Sequence, residues 1–144
     1  MILNYKKVKK VKSPAIGTKY SAGIDLFVPE FTEDFIKDFS TKNDPLLSTL
    51  LQNPGDNKIA IYPHCRALIP SGLVVNMEAQ EEYESAEHCK FVLINYNKSG
   101  VSTKFGLDAL ACVIDEDYSG EVHISLVNTL RQKTPPQFHG QGSR

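Results

Sequence analysis

Asp108-Ala109-Leu110-Ala111-Cys112-Val113-Ile114-Asp115-Glu116-Asp117-Tyr118-Ser119-Gly120-Glu121-Val122 is the stretch on which the fold turns. Ala109 to Ile114 are small and apolar and read as a short buried strand. Asp117-Tyr118-Ser119-Gly120 carries turn chemistry, and Val122, Ile124 and Leu126 alternate with His123 and Ser125 as a returning strand. The pattern predicts a β-hairpin. Three consecutive acids, Asp115, Glu116 and Asp117, stand where the buried strand emerges. Period-2 geometry sends Asp115 and Asp117 to one face and Glu116 to the other, so at least one carboxylate lies close to the apolar layer. Two readings follow: a binding or catalytic site beside an aromatic, or acids simply solvated at a hairpin tip, as surface acids usually are.

The length of 144 residues with 41% hydrophobic content suits one domain with a true core. A formal net charge of −1 and a pI near 6.4 give no global reason to bind nucleic acid or an anionic membrane. No apolar run approaches the roughly 18 residues of a membrane span, and the lysine-rich start lacks the apolar core of a secretory signal. The expectation is a soluble protein of the cytoplasm. Cys65, Cys89 and Cys112, an odd number without framework spacing, are expected as reduced thiols.

Working outward, residues 1–12 alternate weakly among five lysines and read as an edge strand with a charged wet face, or as a polyanion-binding arm. Ser21-Ala22-Gly23-Ile24-Asp25-Leu26-Phe27 places an acid between two apolar residues, behind small residues that allow close backbone approach. Such an acid needs a partner: it either anchors a loop or holds metal-bound water. Residues 30–57 change character, with six acids against two lysines. Thr32 as N-cap, acids in the first turn and Phe31, Phe35 and Phe39 at four-residue spacing predict a short amphipathic helix. Asp44-Pro45, the leucines at 46, 47, 50 and 51 and the stop Asn53-Pro54-Gly55 predict a second. The segment reads as a helical insert on a β scaffold. Its apolar stripes pack on the body or, over 31–57, dock a protein partner.

From Lys58 onward short strands recur between turn signals, as in Ile59 to Ile61, Arg66 to Val75 and Phe91 to Tyr96. The fold class is all-β, a distorted jelly roll or β-barrel. Lys98-Ser99-Gly100 combines a cation, a hydroxyl and unshielded N–H groups, a loop suited to phosphate oxygens, although it lacks P-loop spacing. His64-Cys65 and His88-Cys89 are adjacent pairs whose side chains point to opposite faces of a strand, which argues against zinc.

Taken together, Ser-Ala-Gly-Ile-Asp-Leu at 21–26, Lys-Ser-Gly at 98–100 and Val-Ile-Asp-Glu-Asp-Tyr-Ser-Gly-Glu-Val at 113–122 resemble the first three motifs of the trimeric dUTPase family. The resemblance runs to about Asn128, and the insert is reminiscent of viral or phage members. It implies a homotrimer of jelly-roll subunits that hydrolyses dUTP to dUMP and diphosphate with Mg2+, in the host-cell cytoplasm for a phage or viral member. Asp115 matches the general base that activates water for attack on the α-phosphorus. Tyr118 matches the ring that packs on deoxyribose, and Lys98, Ser99 and Gly100 match the phosphate clasp. Asp25 matches the acid that orders water around magnesium. Backbone groups of 109–114, among them Ala109, Val113 and Ile114, match the strand that reads the uracil edge.

Three departures accompany the resemblance. Cys112 stands where the family has glycine, so its side chain is expected to crowd the base pocket. Lys98 replaces arginine and cannot make a bidentate contact. Residues 1–129 form the expected domain, whereas 130–144 hold no convincing fourth or fifth motif and read as a flexible tail. Impaired catalysis, or a nucleotide-binding or regulatory module without catalysis, is the corresponding expectation.

Overall fold

The computed structural model of the chain describes residues 3–53, 56–77, 91–131 and 137–139. In chain order the elements are β1 (Asn4–Lys7), β2 (Ala15–Ile16), β3 (Ile24–Asp25), α1 (Glu33–Lys42), β4 (Ser48–Asn53), β5 (Asp56–Ile61) and β6 (Arg66–Asn76). They continue with β7 (Val92–Ile94), α2 (Ser99–Phe105), β8 (Leu107–Leu110), β9 (Val113–Asp115), β10 (Glu121–Asn128) and β11 (Gln137–His139). Strands dominate, as expected from the short apolar runs.

The main sheet has the order β1-β6-β10-β8. Its axis is the 11-residue β6, almost entirely buried, which carries the lysine-rich β1 on one side and β10 on the other. The β1 position at the sheet edge matches the charged pattern of the first residues. Pro70 has no N–H to give a ladder, and it lies where the β6–β10 register shifts between Glu121 and His123. Gly72 follows with φ 74°, and a Cβ there would stand 3.0 Å from Val11 and 3.1 Å from Pro29. Only glycine meets both demands.

Helix α1 forms as its sequence predicts. The Thr32 hydroxyl oxygen accepts from Phe35 N at 3.3 Å, and Glu33 and Asp34 face the positive end of the helix. Phe35 and Phe39 are buried with Ile59, Ile61, Ala67, Ile69 and Leu107, and Phe31 stacks on Phe35 at 4.6 Å. Each such phenylalanine contributes about 1.5–3 kcal/mol by burial. The apolar face of α1 thus packs on the body. Asn43 closes the helix and joins it to β6: its Nδ2 donates to the carbonyls of Phe39 and Leu68, and its Oδ1 accepts from Leu68 N at 2.7 Å.

The second expected helix is a strand. Asp44 does cap a turn, accepting from Leu46 N at 2.8 Å, but residues 48–53 then pair with 56–61 as β4 and β5. A short leucine-rich run satisfies either period, and the nearby partner strand decides. The expected hairpin is also modified. Ala111, at φ 54°, breaks the strand, so that β8 pairs with β10 while β9 pairs with β7. Lys98-Ser99-Gly100 is a strand-to-helix junction rather than a free loop, with Ser99 and Gly100 in the first turn of α2. Part of the expected flexible tail, Gln137–His139, is strand β11 and pairs with β5. Cys65 and Cys112 are free thiols, while His88, Cys89 and residues 132–136 and 140–144 of the tail lie outside the described residues. Among the described residues no helix is long and apolar enough to cross a membrane.

Candidate functional site

The residues singled out above gather in two cavities. A cavity of about 670 Å³ is bordered by Val113, Ile114, Asp115, Asp117 and Tyr118, and on another side by Lys42 and His123. Asp115 and Asp117 share it, as the alternation predicts, while Glu116 turns away and accepts from Phe91 N at 3.0 Å. Tyr118 closes the turn, its N–H donating to the Asp115 carbonyl at 3.1 Å and its hydroxyl to the Glu121 carbonyl at 2.8 Å. The ring lies against Gly120, where a Cβ would stand 2.8 Å from the hydroxyl oxygen. Cys112 does not border this cavity; its Sγ turns toward the Ala109 carbonyl at 3.8 Å, so the expected crowding is not seen.

A larger cavity, about 1050 Å³, holds Asp25, Lys98, Ser99, Gly100 and Ala109. The flanked acid finds its partner here, with Lys98 Nζ 2.5 Å from Asp25 Oδ2. Behind Lys98, Asn97 donates to Asp108 Oδ1 at 3.0 Å and accepts from Ala109 N at 2.5 Å, while the Ser102 hydroxyl donates to Asp108 Oδ1 at 2.6 Å. This clamp fixes the junction between strand and helix, so that the cation and the hydroxyl reach the cavity from a rigid base. Asp25 is a single, partly exposed carboxylate, a hard oxygen donor that suits a magnesium ion keeping most of its water. Ile114 and Val122 border both cavities and form their common wall.

Sequence reasoning missed a third cluster. Lys9 Nζ meets Asp38 Oδ2 at 3.0 Å and also donates to Glu121 Oε2; Lys42 Nζ meets Asp38 Oδ1 at 2.6 Å and His123 Nε2 at 2.6 Å. Burial pushes the Asp38 carboxyl up, but hydrogen bonds from Lys42 and Lys9 and their charges outweigh it and hold it at about 2. Burial likewise lowers Lys9, and Glu121 and Asp38 more than compensate, raising it above 10.5. Asp38, Glu121 and His123 have ligand atoms within 4.8 Å of one another, a spacing that suits a metal. Two ammonium groups already occupy those donors, so the trio is an ion-pair network. Nothing in the local sequence signals it, since Lys9 and Glu121 are 112 positions apart.

No protein-family model matches the chain. The deoxyuridine 5′-triphosphate nucleotidohydrolase of Finegoldia magna is 33% identical over 75 residues, 51% of this chain and 46% of that protein, so the match spans under half of the relative. Solved structures are similar over nearly the whole chain. The dUTPase from phage phi11 of S. aureus, with its species-specific insert, matches with a TM-score of 0.57 at 20% identity, over 90% of this chain and 61% of that one. The Staphylococcus bacteriophage 80alpha dUTPase matches with a TM-score of 0.58 at 17% identity, over 99% and 84%. Native EIAV dUTPase matches with a TM-score of 0.53 at 18% identity, over 99% and 92%. The fold is the jelly roll of the dUTPases.

Proposed function

We propose that the protein hydrolyses dUTP to dUMP and diphosphate. One observation carries this reading: one cavity holds a carboxylate and an aromatic, the other a cation, a hydroxyl and a carboxylate, and Ile114 and Val122 line both. A nucleoside triphosphate needs both sets. Asp115, exposed at the end of β9, takes a proton from a water aligned on the α-phosphorus, a role that contributes about 10²–10⁴-fold. Tyr118 packs on deoxyribose, and the backbone near Ala109, Val113 and Ile114 reads the uracil edge. Lys98, Ser99 and Gly100 hold phosphate oxygens by charge-assisted and backbone hydrogen bonds. Asp25 would hold magnesium through water, and the ion when bound supplies positive charge that offsets the triphosphate.

The two halves are separate cavities within one chain, which favours an assembly in which a second copy completes each site. A homotrimer is the proposed form, to be read from the molar mass in solution. The direct test is diphosphate release from dUTP with Mg2+, beside dTTP and dCTP, with Asp115→Asn as control. Selective release from dUTP that the variant loses is expected. Tight dUTP binding without release would replace the hydrolase by a nucleotide-binding or regulatory module, and release of ammonia from dCTP would replace it by a deaminase. For such a module, a partner docking over 31–57 would be lost on deleting that segment.

A further inference from the structure

The ion-pair network is not used by the proposed chemistry, yet it ends on the acceptor of the Tyr118 hydroxyl. The Glu121 carbonyl oxygen accepts from that hydroxyl at 2.8 Å and lies 2.7 Å from His123 Nδ1. A proton on Nδ1 satisfies this contact and leaves Nε2 as an acceptor, and Lys42 Nζ stands 2.6 Å from it. Lys42 is held in turn by Asp38, one helical turn back on α1. A second line runs through the Glu121 side chain. Its Oε1 accepts from Gly72 N at 2.8 Å, and its Oε2 accepts from Lys9, which also meets Asp38. Both lines converge on one carboxylate of α1.

Tyr118 has little packing of its own. It is 44% exposed, and Gly120 beneath it offers a flat surface without a side chain. The ring position therefore depends on where its hydroxyl acceptor is held. Tyr118, His123 and Lys42 border the same cavity, so a shift of the acceptor is felt at the ligand.

We infer that helix α1 is a positioning element for Tyr118: Asp38, through Lys42–His123 and through Lys9–Glu121, fixes the carbonyl on which the Tyr118 hydroxyl rests. This sets how closely the ring approaches the sugar and hence how strongly a 2′-hydroxyl is excluded. The inference rests on the dUTPase reading for its sugar, and on geometry alone for its relay. Asp38, Lys42 and His123 are positioning residues, because rejecting one hydroxyl requires the excluding ring to be held to a fraction of an ångström.

The test uses the full chain with Asp38→Asn and His123→Gln, and Lys42→Met in case Asp38→Asn fails to fold. Two quantities are read: the ratio of kcat/KM for dUTP over UTP, and the ring resonances of 13C-labelled Tyr118, assigned with Tyr118→Phe. The ratio is expected to fall about tenfold, chiefly through the KM values, with the Tyr118 resonance displaced in the absence of nucleotide. A merely structural role would lower the amount of folded protein and leave the ratio intact. An unchanged ratio in an active protein, or an undisplaced resonance, overturns the relay. A displaced resonance in a protein that never turns over dUTP supports the relay and removes the dUTPase reading instead.

Discussion

Lys98 with Asp25, and Lys9 with Asp38 and Glu121, are made of the same chemical groups and differ in exposure. In the first pair the side chains are 61% and 36% exposed; in the second cluster they are 11%, 19% and 13% exposed. An exposed ion pair is screened by water and contributes roughly 0–1 kcal/mol, so its partners exchange at little cost for a phosphate or a hydrated cation. A half-buried network offers no such exchange, because each charge removed strands another. The difference teaches that exposure, rather than residue type, separates charges available to a ligand from charges that hold the framework.

The largest effect that sharpens this contrast belongs to Asp115, which has no salt-bridge partner among the described residues and is exposed. Asp115→Asn is expected to cut dUTP turnover about 10³-fold, about 4 kcal/mol in the barrier, with urea unfolding unchanged within about 0.5 kcal/mol. Lys9→Met should do the reverse. It leaves Glu121 and Asp38 facing one another and is expected to cost about 2–4 kcal/mol in urea unfolding; a loss below 0.5 kcal/mol would remove the network from the list of structural supports.

The next effect is on pH. Folded Asp38 titrates at about 2 against an ordinary 3.8, so its contribution is complete above 3.8 and lost as pH falls toward 2. Lys9, raised above 10.5, contributes fully below 10.5 and loses that contribution as pH rises through its higher folded value. Unfolding free energy should therefore drop by on the order of 1–2 kcal/mol between pH 4 and pH 2, and Asp38→Asn should flatten that part of the profile. The smallest effect is at the clasp. Lys98→Met should leave stability within about 0.5 kcal/mol while raising KM for dUTP about tenfold; an equal loss of stability would erase the distinction between the two clusters.

The parts legible in the sequence are those with local rules. Thr32, its following acids and the phenylalanine spacing define α1, and the alternation of Asp115, Glu116 and Asp117 correctly separates the two cavity-facing acids from the one that binds Phe91 N. Asp25 announced its need for a partner, and Lys98 supplies it. What escaped is non-local. The leucines near β4 fit a helix until the neighbouring β5 is considered, and Ala111 has no residue-type signal for its left-handed backbone. Lys9 is one of five lysines in a row of similar residues, and only the folded register singles it out.

Strand β11 has a consequence in time rather than in space. Phe138 pairs with Ile59, whereas β4 and β5 are close neighbours in sequence and pair with one another. Local pairings form quickly, and a contact that must close a loop spanning half the chain pays a larger entropic cost before it is rewarded. The β4–β5 hairpin should therefore appear early and wait for its third strand. During that interval one margin of β5, which carries the fully buried Ile59, Ala60 and Ile61, is open to pairing with another chain. The last strand to dock is thus the step that ends the risk of aggregation during folding.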